Sequence, residues 1–413
     1  MATVTDRGYF VYSAFVVLGV CSLLPWNLFI TANEYFSYKL RNTTLPAVNG
    51  THPIPTTKTY LQEMFENFFA STGSISCVLG NFVNAFLSSR LSNTPRMVFG
   101  HILCILALVP TVVLSALRTD TWQTTFFVLT LLLVNLGSFG SSGFVSGASL
   151  GLAARFPTAY MQATMMGQAL AGISASLVSI ISQSATPTPK YNGLAYFLIS
   201  TLFTVCSLVM YFAMIKTKFA SEYLYDKQRP NSDTITSTTS SETADSREPL
   251  LEEQEEPSSQ SQDLRYSIHV TVKPSATAVL RKCAYEMSAV FLTFVVTLIC
   301  FPAITSLMVS KSPNLKWREY FIPVMCFLLF NVGDFVGRFL TNLFHIPKNS
   351  TFLPLLAAVR VVFIPLFLYC NVQPRSGLGP VWFPQDWTYA VIMILMSVTN
   401  GYLAALCCTY APK

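Results

Sequence analysis

Charge is scarce in this sequence. Asp, Glu, Lys and Arg make up 11% of the 413 residues, against roughly 25% in an ordinary soluble domain. The few charges are unevenly placed: residues 216–285 hold 20 of the 46, and the other 343 residues hold 26. That density excludes a soluble globular enzyme, and a hydrophobic share of 52% excludes a disordered chain. What fits is a membrane protein of many spans with one long polar segment. Paired cysteine motifs are missing as well. Nine of the ten Cys residues lie inside apolar runs and Cys283 lies at the edge of one, with no C-x-x-C…C-x-x-C spacing. Buried free thiols are therefore expected, and no zinc site or disulfide scaffold. There is no G-x-x-x-x-G-K-[ST] and no H-E-x-x-H, so neither an ATP-driven pump nor that metalloenzyme class fits. Asp334 lacks the second deep aspartate and the leading glycine of an intramembrane aspartyl protease, and no Arg-rich voltage sensor is visible. No cofactor, no metal and no enzymatic activity are expected. The net charge of +6 is carried outside the polar segment, which itself sums to −2. Cytosolic anchoring accounts for such a balance, and no nucleic-acid partner is expected.

A bilayer core of about 30 Å needs about 20 apolar residues per helix. Ten runs qualify: 9–32, 63–88, 97–118, 124–154, 159–183, 192–215, 285–309, 319–344, 352–371 and 388–410. The first is too long, too polar at its end and too poor in cleavage-site residues for a signal peptide, so it reads as a retained helix. Asn42-Thr43-Thr44 and Asn49-Gly50-Thr51 are glycosylation acceptors, which puts segment 33–59 outside the cytosol and the N-terminus inside it. Arg90, Arg96 and Arg155 fall in short loops on the cytosolic side, in keeping with positive-inside, while Lys311, Lys316 and Arg318 fall outside. A third acceptor, Asn349, falls on the cytosolic side and is unused. The expected organisation is all-α: a six-helix bundle over 1–215, a largely disordered cytosolic loop over 216–284, and a four-helix bundle over 285–413. The loop carries a Ser/Thr run at 232–243, an acidic stretch from Glu252 to Glu256, and Asp245…Leu250-Leu251. This last element resembles an acidic dileucine sorting signal with one residue too many in its spacing. No closing helix follows the tenth run.

Charges inside a bilayer are costly and mark candidate function. Asp334 and Arg338 are four residues apart and share a helix face with Asn331. Such a stripe faces a protein interior or a watery cavity, though a buried pair that only fixes packing has the same pattern. Arg360 sits mid-run with no acid on its own helix and needs a partner elsewhere or must snorkel, with Asp334 the deepest acid and Glu66 nearer an end. In the first run Pro25 bends the helix and is followed by Trp26, a flat aromatic, and Asn27, an amide; together they suit a planar heterocycle. Asn67 and Asn84 read as bridges between helices. Gly143, Gly147 and Gly151 recur every four residues, as do Gly167, Ala171 and Ala175, with Gly172 beside them. Small residues at that spacing let helices approach closely. His101, within the third run, reads as a packed residue or a pH sensor.

Several motifs resemble the equilibrative nucleoside transporter family. They are Leu24-Pro25-Trp26-Asn27 through Ala32, Gly167-Gln168-Ala-Leu-Ala-Gly172, Phe301-Pro302-Ala303, and Asn331-x-x-Asp334-x-x-Gly337-Arg338-x-x-Thr341. Arg360 through Pro365, Cys370-Asn371-x-x-Pro374-Arg375 and Asn400-Gly401-Tyr402-Leu403 continue the match. The resemblance implies a bundle similar to the major facilitator class around a midplane site. It further implies facilitative movement of purine and pyrimidine nucleosides such as adenosine and uridine, driven by their gradients. Trp26 and Asn27 would then line the nucleobase side, and Asn331, Asp334 and Arg338 the ribose side. Gly143, Gly147, Gly151, Gly167, Gly172 and Arg360 would serve packing and conformational change. A base-binding glutamine of the family aligns with Ser146, whose shorter side chain implies altered base recognition. The family has eleven spans where ten are counted here, so a truncated, non-transporting form that associates with a full-length carrier is the alternative expectation. The motifs resemble the endolysosomal branch somewhat more closely, leaving the plasma membrane and the late endosome or lysosome as expected locations.

Overall fold

The structure is a computed structural model that describes residues 5–42, 59–185, 189–225, 276–375 and 379–411. Asn49, the Ser/Thr run, the acidic stretch and the dileucine-like element lie outside these residues, and so do the side chains of Glu66 and Asn67.

Each of the ten apolar runs folds as a long helix. We label them α1 (Phe10–Thr31), α2 (Tyr60–Leu87), α3 (Asn93–Ala116), α4 (Gln123–Ala153) and α5 (Thr158–Ala185). The others are α6 (Pro189–Ile215), α7 (Ala284–Leu307), α8 (Leu315–Leu340), α9 (Ser350–Leu368) and α10 (Asp386–Tyr410). Among the described residues, nine combine the length and apolarity of a membrane span. The 28-residue α2 has the length alone, because Asn81, Asn84 and several Ser and Gly residues dilute it. No strand forms among the described residues; two isolated bridges, Met308–Val372 and Cys370–Phe383, tie loops together. This all-helical architecture satisfies backbone groups within each segment, as a bilayer demands.

Helix starts follow from local chemistry. The Asp6 carboxylate accepts from the Val11 and Tyr12 amides at 3.1 and 3.0 Å, satisfying donors that α1 leaves open. Thr59 and Gln62 form a reciprocal capping box at α2. Irregular turns sit inside α4 (Phe139–Val145) and α8 (Ile322–Leu328), and α7 breaks at Phe301, whose φ of −115° and ψ of 129° leave the helical region before Pro302.

The apolar core is split. In α1–α6, one cluster joins Phe15, Leu18, Met97, Tyr211 and Met214, and another joins Leu28, Phe36, Phe65, Phe126 and Phe197. In α7–α10, Phe321, Phe367, Tyr389 and Met393 form the centre of a separate cluster. Helix α1 is buried through most of its length against α5. Two glycines permit this. A Cβ on Gly167 would strike the Val16 carbonyl, and one on Gly19 would strike that of Thr164.

Gly143 and Gly147 meet Gly80 and Asn84 of α2 in the same way. The close-packing expectation fails at Gly151, which is exposed and would meet nothing within 4 Å. In that register its partner would be residue 88, and α2 ends at Leu87. Arg96 is not a loop charge: it lies on α3, 7% exposed, and donates to Asn84 and Asn93 at 2.9 and 3.0 Å. Asn84 thus bridges α2 and α3. His101 is buried, with Nδ1 2.8 Å from the Met97 carbonyl and Nε2 3.3 Å from the Ser207 hydroxyl.

The glycine contacts predict a contrast. Gly167→Leu overpacks α1 against α5 and should cost about 1–3 kcal/mol or more, lowering the thermal midpoint of the purified protein. Gly151→Leu should leave the midpoint within a degree or so of the parent. Equal midpoints for the two variants would contradict the packing described.

Candidate functional site

Helix α8 carries the two charges that a bilayer tolerates least. Asp334 and Arg338 are 5% and 6% exposed. Their spacing of one helical turn lets Arg338 Nε donate to Asp334 Oδ2 at 2.8 Å. Asn400 of α10 donates to Asp334 Oδ1 at 2.6 Å. Helices α8 and α10 come this close because Gly401 sits against the Asp334 carbonyl and Gly337 against that of Val398. The carboxylate is thus held by two donors, and a carboxylate has acceptor capacity for more.

The arginine reaches across the bundle. Its Nη1 donates to the Met165 carbonyl at 3.3 Å and contacts Gln168 Oε1 at 3.5 Å, both on α5. The Gln168 amide in turn donates to Ser146 of α4 at 3.1 Å and Ser22 of α1 at 3.4 Å. A polar chain therefore runs from the first six helices to the last four through one glutamine and one arginine. Asn331 makes a parallel link, donating to Ser176 of α5 at 3.1 Å. Gly172 makes room for it, since a Cβ there would strike the Asn331 amide. On the same helix pair, Gln162 donates to the Thr341 carbonyl at 3.2 Å.

Arg360 extends the network on the other side of Asn400. It is 2% exposed, and its fork donates to the Thr293 carbonyl at 2.8 Å and Thr297 Oγ1 at 3.0 Å on α7. It also donates to the Met396 carbonyl and Thr399 Oγ1, both at 3.2 Å, on α10. Thr297 donates to Asn400 Oδ1 at 2.6 Å. The partner that Arg360 required is therefore a ring of carbonyls and hydroxyls, and Asp334 is reached through Thr297 and Asn400.

The structure joins Ser146, Asp334, Arg338 and Arg360 through this network and sets Asn331 and Gly172 in the parallel link to α5. It does not bring Trp26 or Asn27 into it. Trp26 is half-buried and stacks on Phe69 at 5.4 Å, with Gly73 of α2 beneath the indole. Asn27 Nδ2 donates to the Leu23 carbonyl at 3.0 Å, folding its amide onto its own helix. Gly143, Gly147 and Gly167 pack within the first six helices, away from the charges. Gln168 and Asn400 enter the sequence reading only as parts of motifs; a polar residue amid small neighbours is the available signal. Lys39, 2% exposed, has no such signal and donates to the Leu114 and Leu117 carbonyls.

A multi-pass bundle with an intramembrane ion pair linking two groups of helices defines a membrane transporter architecture. The family described as "Nucleoside transporter" matches residues 128–413. The chain is 32% identical to human equilibrative nucleoside transporter 2, over 99% of this chain and 90% of that protein. It is 30% identical to human equilibrative nucleoside transporter 1, over the same shares. It is 31% identical to rat equilibrative nucleoside transporter 3, over 99% of this chain and 82% of that one. The chain belongs to the nucleoside transporter family and is a multi-pass membrane protein.

The four-way grip of Arg360 needs a planar fork. Arg360→Lys keeps the charge but concentrates its donors on one nitrogen, which cannot span α7 and α10 together. We expect a stability loss of about 2 kcal/mol or more, read as a lower thermal midpoint in detergent. An unchanged midpoint would show that the fork is dispensable.

Proposed function

We propose that this chain carries nucleosides such as adenosine and uridine across a membrane, down their gradients and by alternating access. The observation that carries the reading is the buried Asp334–Arg338 pair, held by Asn400 on one side and tied to α5 by Gln168 on the other. Membership in a nucleoside transporter family supports it. Ribose presents two vicinal hydroxyls. The unused acceptor positions of Asp334 suit them, and Arg338 orients that carboxylate. Ser146 and Gln168 together offer a hydroxyl and an amide on the facing helices, which suit a base edge. Trp26 contributes from the side of α2 in this reading, its ring kept flat by Phe69, once the site opens toward α1. Asn27 keeps its amide on the Leu23 carbonyl in preference to touching the ligand.

The moving parts are 1–215 and 285–413, joined by the polar segment between them. Their contacts along α5 and α8 include polar links: Gln162–Thr341, Arg338–Met165, Gln168–Arg338, Asn331–Ser176, Ser184–Tyr320 and Asn342–Met166. Polar contacts can be exchanged for ligand or water at little net cost, which suits rocking of one half against the other. No energy source is coupled, so flux follows concentration. The N-terminus is cytosolic in this reading, and Asn42, exposed after the helix Asn33–Lys39, carries glycan on the opposite side. The membrane is the plasma membrane or that of late endosomes and lysosomes.

Two measurements test this. Uptake of labelled adenosine and uridine into transporter-deficient cells should be saturable. It should fall tenfold or more in Asp334→Asn and in Arg338→Ala, the equivalent of one charge-assisted hydrogen bond of about 1.5–3 kcal/mol, with the amount at the membrane unchanged. Normal uptake by either variant refutes the assignment. Enzymatic deglycosylation should increase the gel mobility of the parent, and by less in Asn42→Gln; no shift in the parent would place segment 33–59 on the cytosolic side.

A further inference from the structure

Arg338 orients more than the Asp334 carboxylate. A guanidinium has donors and no acceptor, so a neutral group that meets it must present an oxygen. On α5 that group is the Gln168 amide, with Oε1 3.5 Å from Nη1. The amide nitrogen is thereby turned to the other side, where it donates to Ser146 of α4 at 3.1 Å and to Ser22 of α1 at 3.4 Å. The opposite orientation would set N–H against N–H at the arginine. It would also place an oxygen beside Ser22, whose proton already goes to the Gly19 carbonyl at 2.7 Å.

The orientation of the amide decides what each serine can do. A hydroxyl has one proton to give and two lone pairs to receive with. Ser22 has given its proton and is wholly buried. Ser146 accepts from Gln168 and still holds its own proton. The ordinary acceptor for a serine on a helix is the carbonyl four residues before it. For Ser146 that is the Ser142 carbonyl, which receives Asn81 Nδ2 of α2 at 3.1 Å. Among the described residues, nothing accepts the Ser146 proton. Ser146 is half-buried, whereas Ser22 and Gln168 are both buried. Of the three it is the most open to a ligand, and it meets that ligand as a donor.

Nucleobases differ at the edge such a donor would read. Uracil and hypoxanthine carry an exocyclic carbonyl oxygen where cytosine and adenine carry an amino group. A carbonyl oxygen receives the Ser146 proton. An amino group can only give a proton of its own, which leaves that of Ser146 without an acceptor. Ser146 is linked to Asp334 through Arg338 and Gln168 in turn. A ligand whose sugar hydroxyls meet Asp334 therefore brings the edge of its base remote from the sugar toward Ser146, and the exocyclic group sits on that edge.

We propose that Ser146 selects nucleosides whose base carries a carbonyl at that edge, uridine and inosine, over their amino counterparts, cytidine and adenosine. Gln168 is the positioning residue: held by Arg338, it occupies the Ser146 oxygen and leaves the proton for the ligand. This selection rests on the nucleoside-carrier reading above and adds the class of base that is preferred.

The test measures initial uptake of labelled uridine, cytidine, inosine and adenosine by the full chain in transporter-deficient cells, as Vmax/KM for each. Uridine should exceed cytidine, and inosine adenosine, by about tenfold, the effect of one hydrogen bond made against one donor left unmet. Ser146→Ala should bring both ratios to within about twofold of one, by slowing the carbonyl member of each pair. Ser146→Thr keeps the hydroxyl and should keep both preferences. Ratios taken in the same cells do not depend on how much protein reaches the membrane, so a variant that folds poorly is still readable, and the parent ratios decide by themselves. Parent ratios near one, or ratios that survive in Ser146→Ala, overturn the selection while uptake of all the nucleosides leaves the carrier reading standing. Uptake of none of them by the parent overturns the carrier reading and the selection with it.

Discussion

A charge within a bilayer cannot borrow water, so each one must be neutralised or hydrogen-bonded by the protein itself. Most of the last four helices are arranged around that demand. Asp334 and Arg338 neutralise one another within α8, which leaves the donors of the arginine and the acceptors of the carboxylate to be matched elsewhere. Asn400 of α10 and Gln168 of α5 supply those partners. Asn400 then needs a donor for its own carbonyl, which Thr297 of α7 provides, and Thr297 is in turn gripped by Arg360 of α9. Four helices of the second group are thereby joined by one chain of hydrogen bonds. Such a pair adds little net stability over apolar packing, yet removing one member strands the other at a cost of roughly 3–5 kcal/mol. Retention of a costly pair where apolar residues would pack suits a site with work to do.

The polar chain depends on close backbone approach, and that depends on glycine. Gly401 and Gly337 bring α10 to α8, so that Asn400 reaches Asp334; Gly172 admits Asn331 to the face of α5; Gly167 and Gly19 seat α1 on α5. Lipid gives helices no hydrophobic reason to associate, so contact area and hydrogen bonds must do it. The contacts divide into two kinds. Within the first six helices, those at Gly19, Gly167, Gly80 and Gly143 are backbone against backbone. Those between α5 and α8 include polar side-chain ends, which can be exchanged for water or ligand.

Much of this was legible from residue order. Ten apolar runs mark ten helices within a few residues, because length and hydropathy are local properties. Asp334, Arg338 and Asn331 stand out because their spacing places them on one face whatever surrounds them. Partners were harder. Nothing local says that Gln168 turns to Ser146 and Arg338, that Arg360 finds carbonyls in place of an acid, or that Asn27 folds onto Leu23. Those outcomes depend on which helices become neighbours. The glycine repeat shows the same limit: Gly143 and Gly147 find partners on α2, while Gly151 continues the spacing past the end of the helix it would have met. The mixed composition of α2 misleads hydropathy alone, since its asparagines serve α3 and α4.

The buried polar residues of α7 share a helix face. Glu286, Thr293 and Thr297 lie on the buried side of α7, seven and four residues apart, at the spacing of a helical stripe. The upper members hold Arg360 and, through Asn400, the Asp334 carboxylate. The lowest member lies in the first turn of α7. Glu286 therefore lies on the same helix that positions the intramembrane network, about two to three helical turns away. Whatever sets the depth and tilt of α7 at its boundary end also sets where Thr293 and Thr297 meet Arg360. The break at Phe301 confines that influence to the half of α7 before Pro302, which contains every residue of the stripe. Glu286 and the threonines that hold Arg360 thus share one uninterrupted stretch of helix.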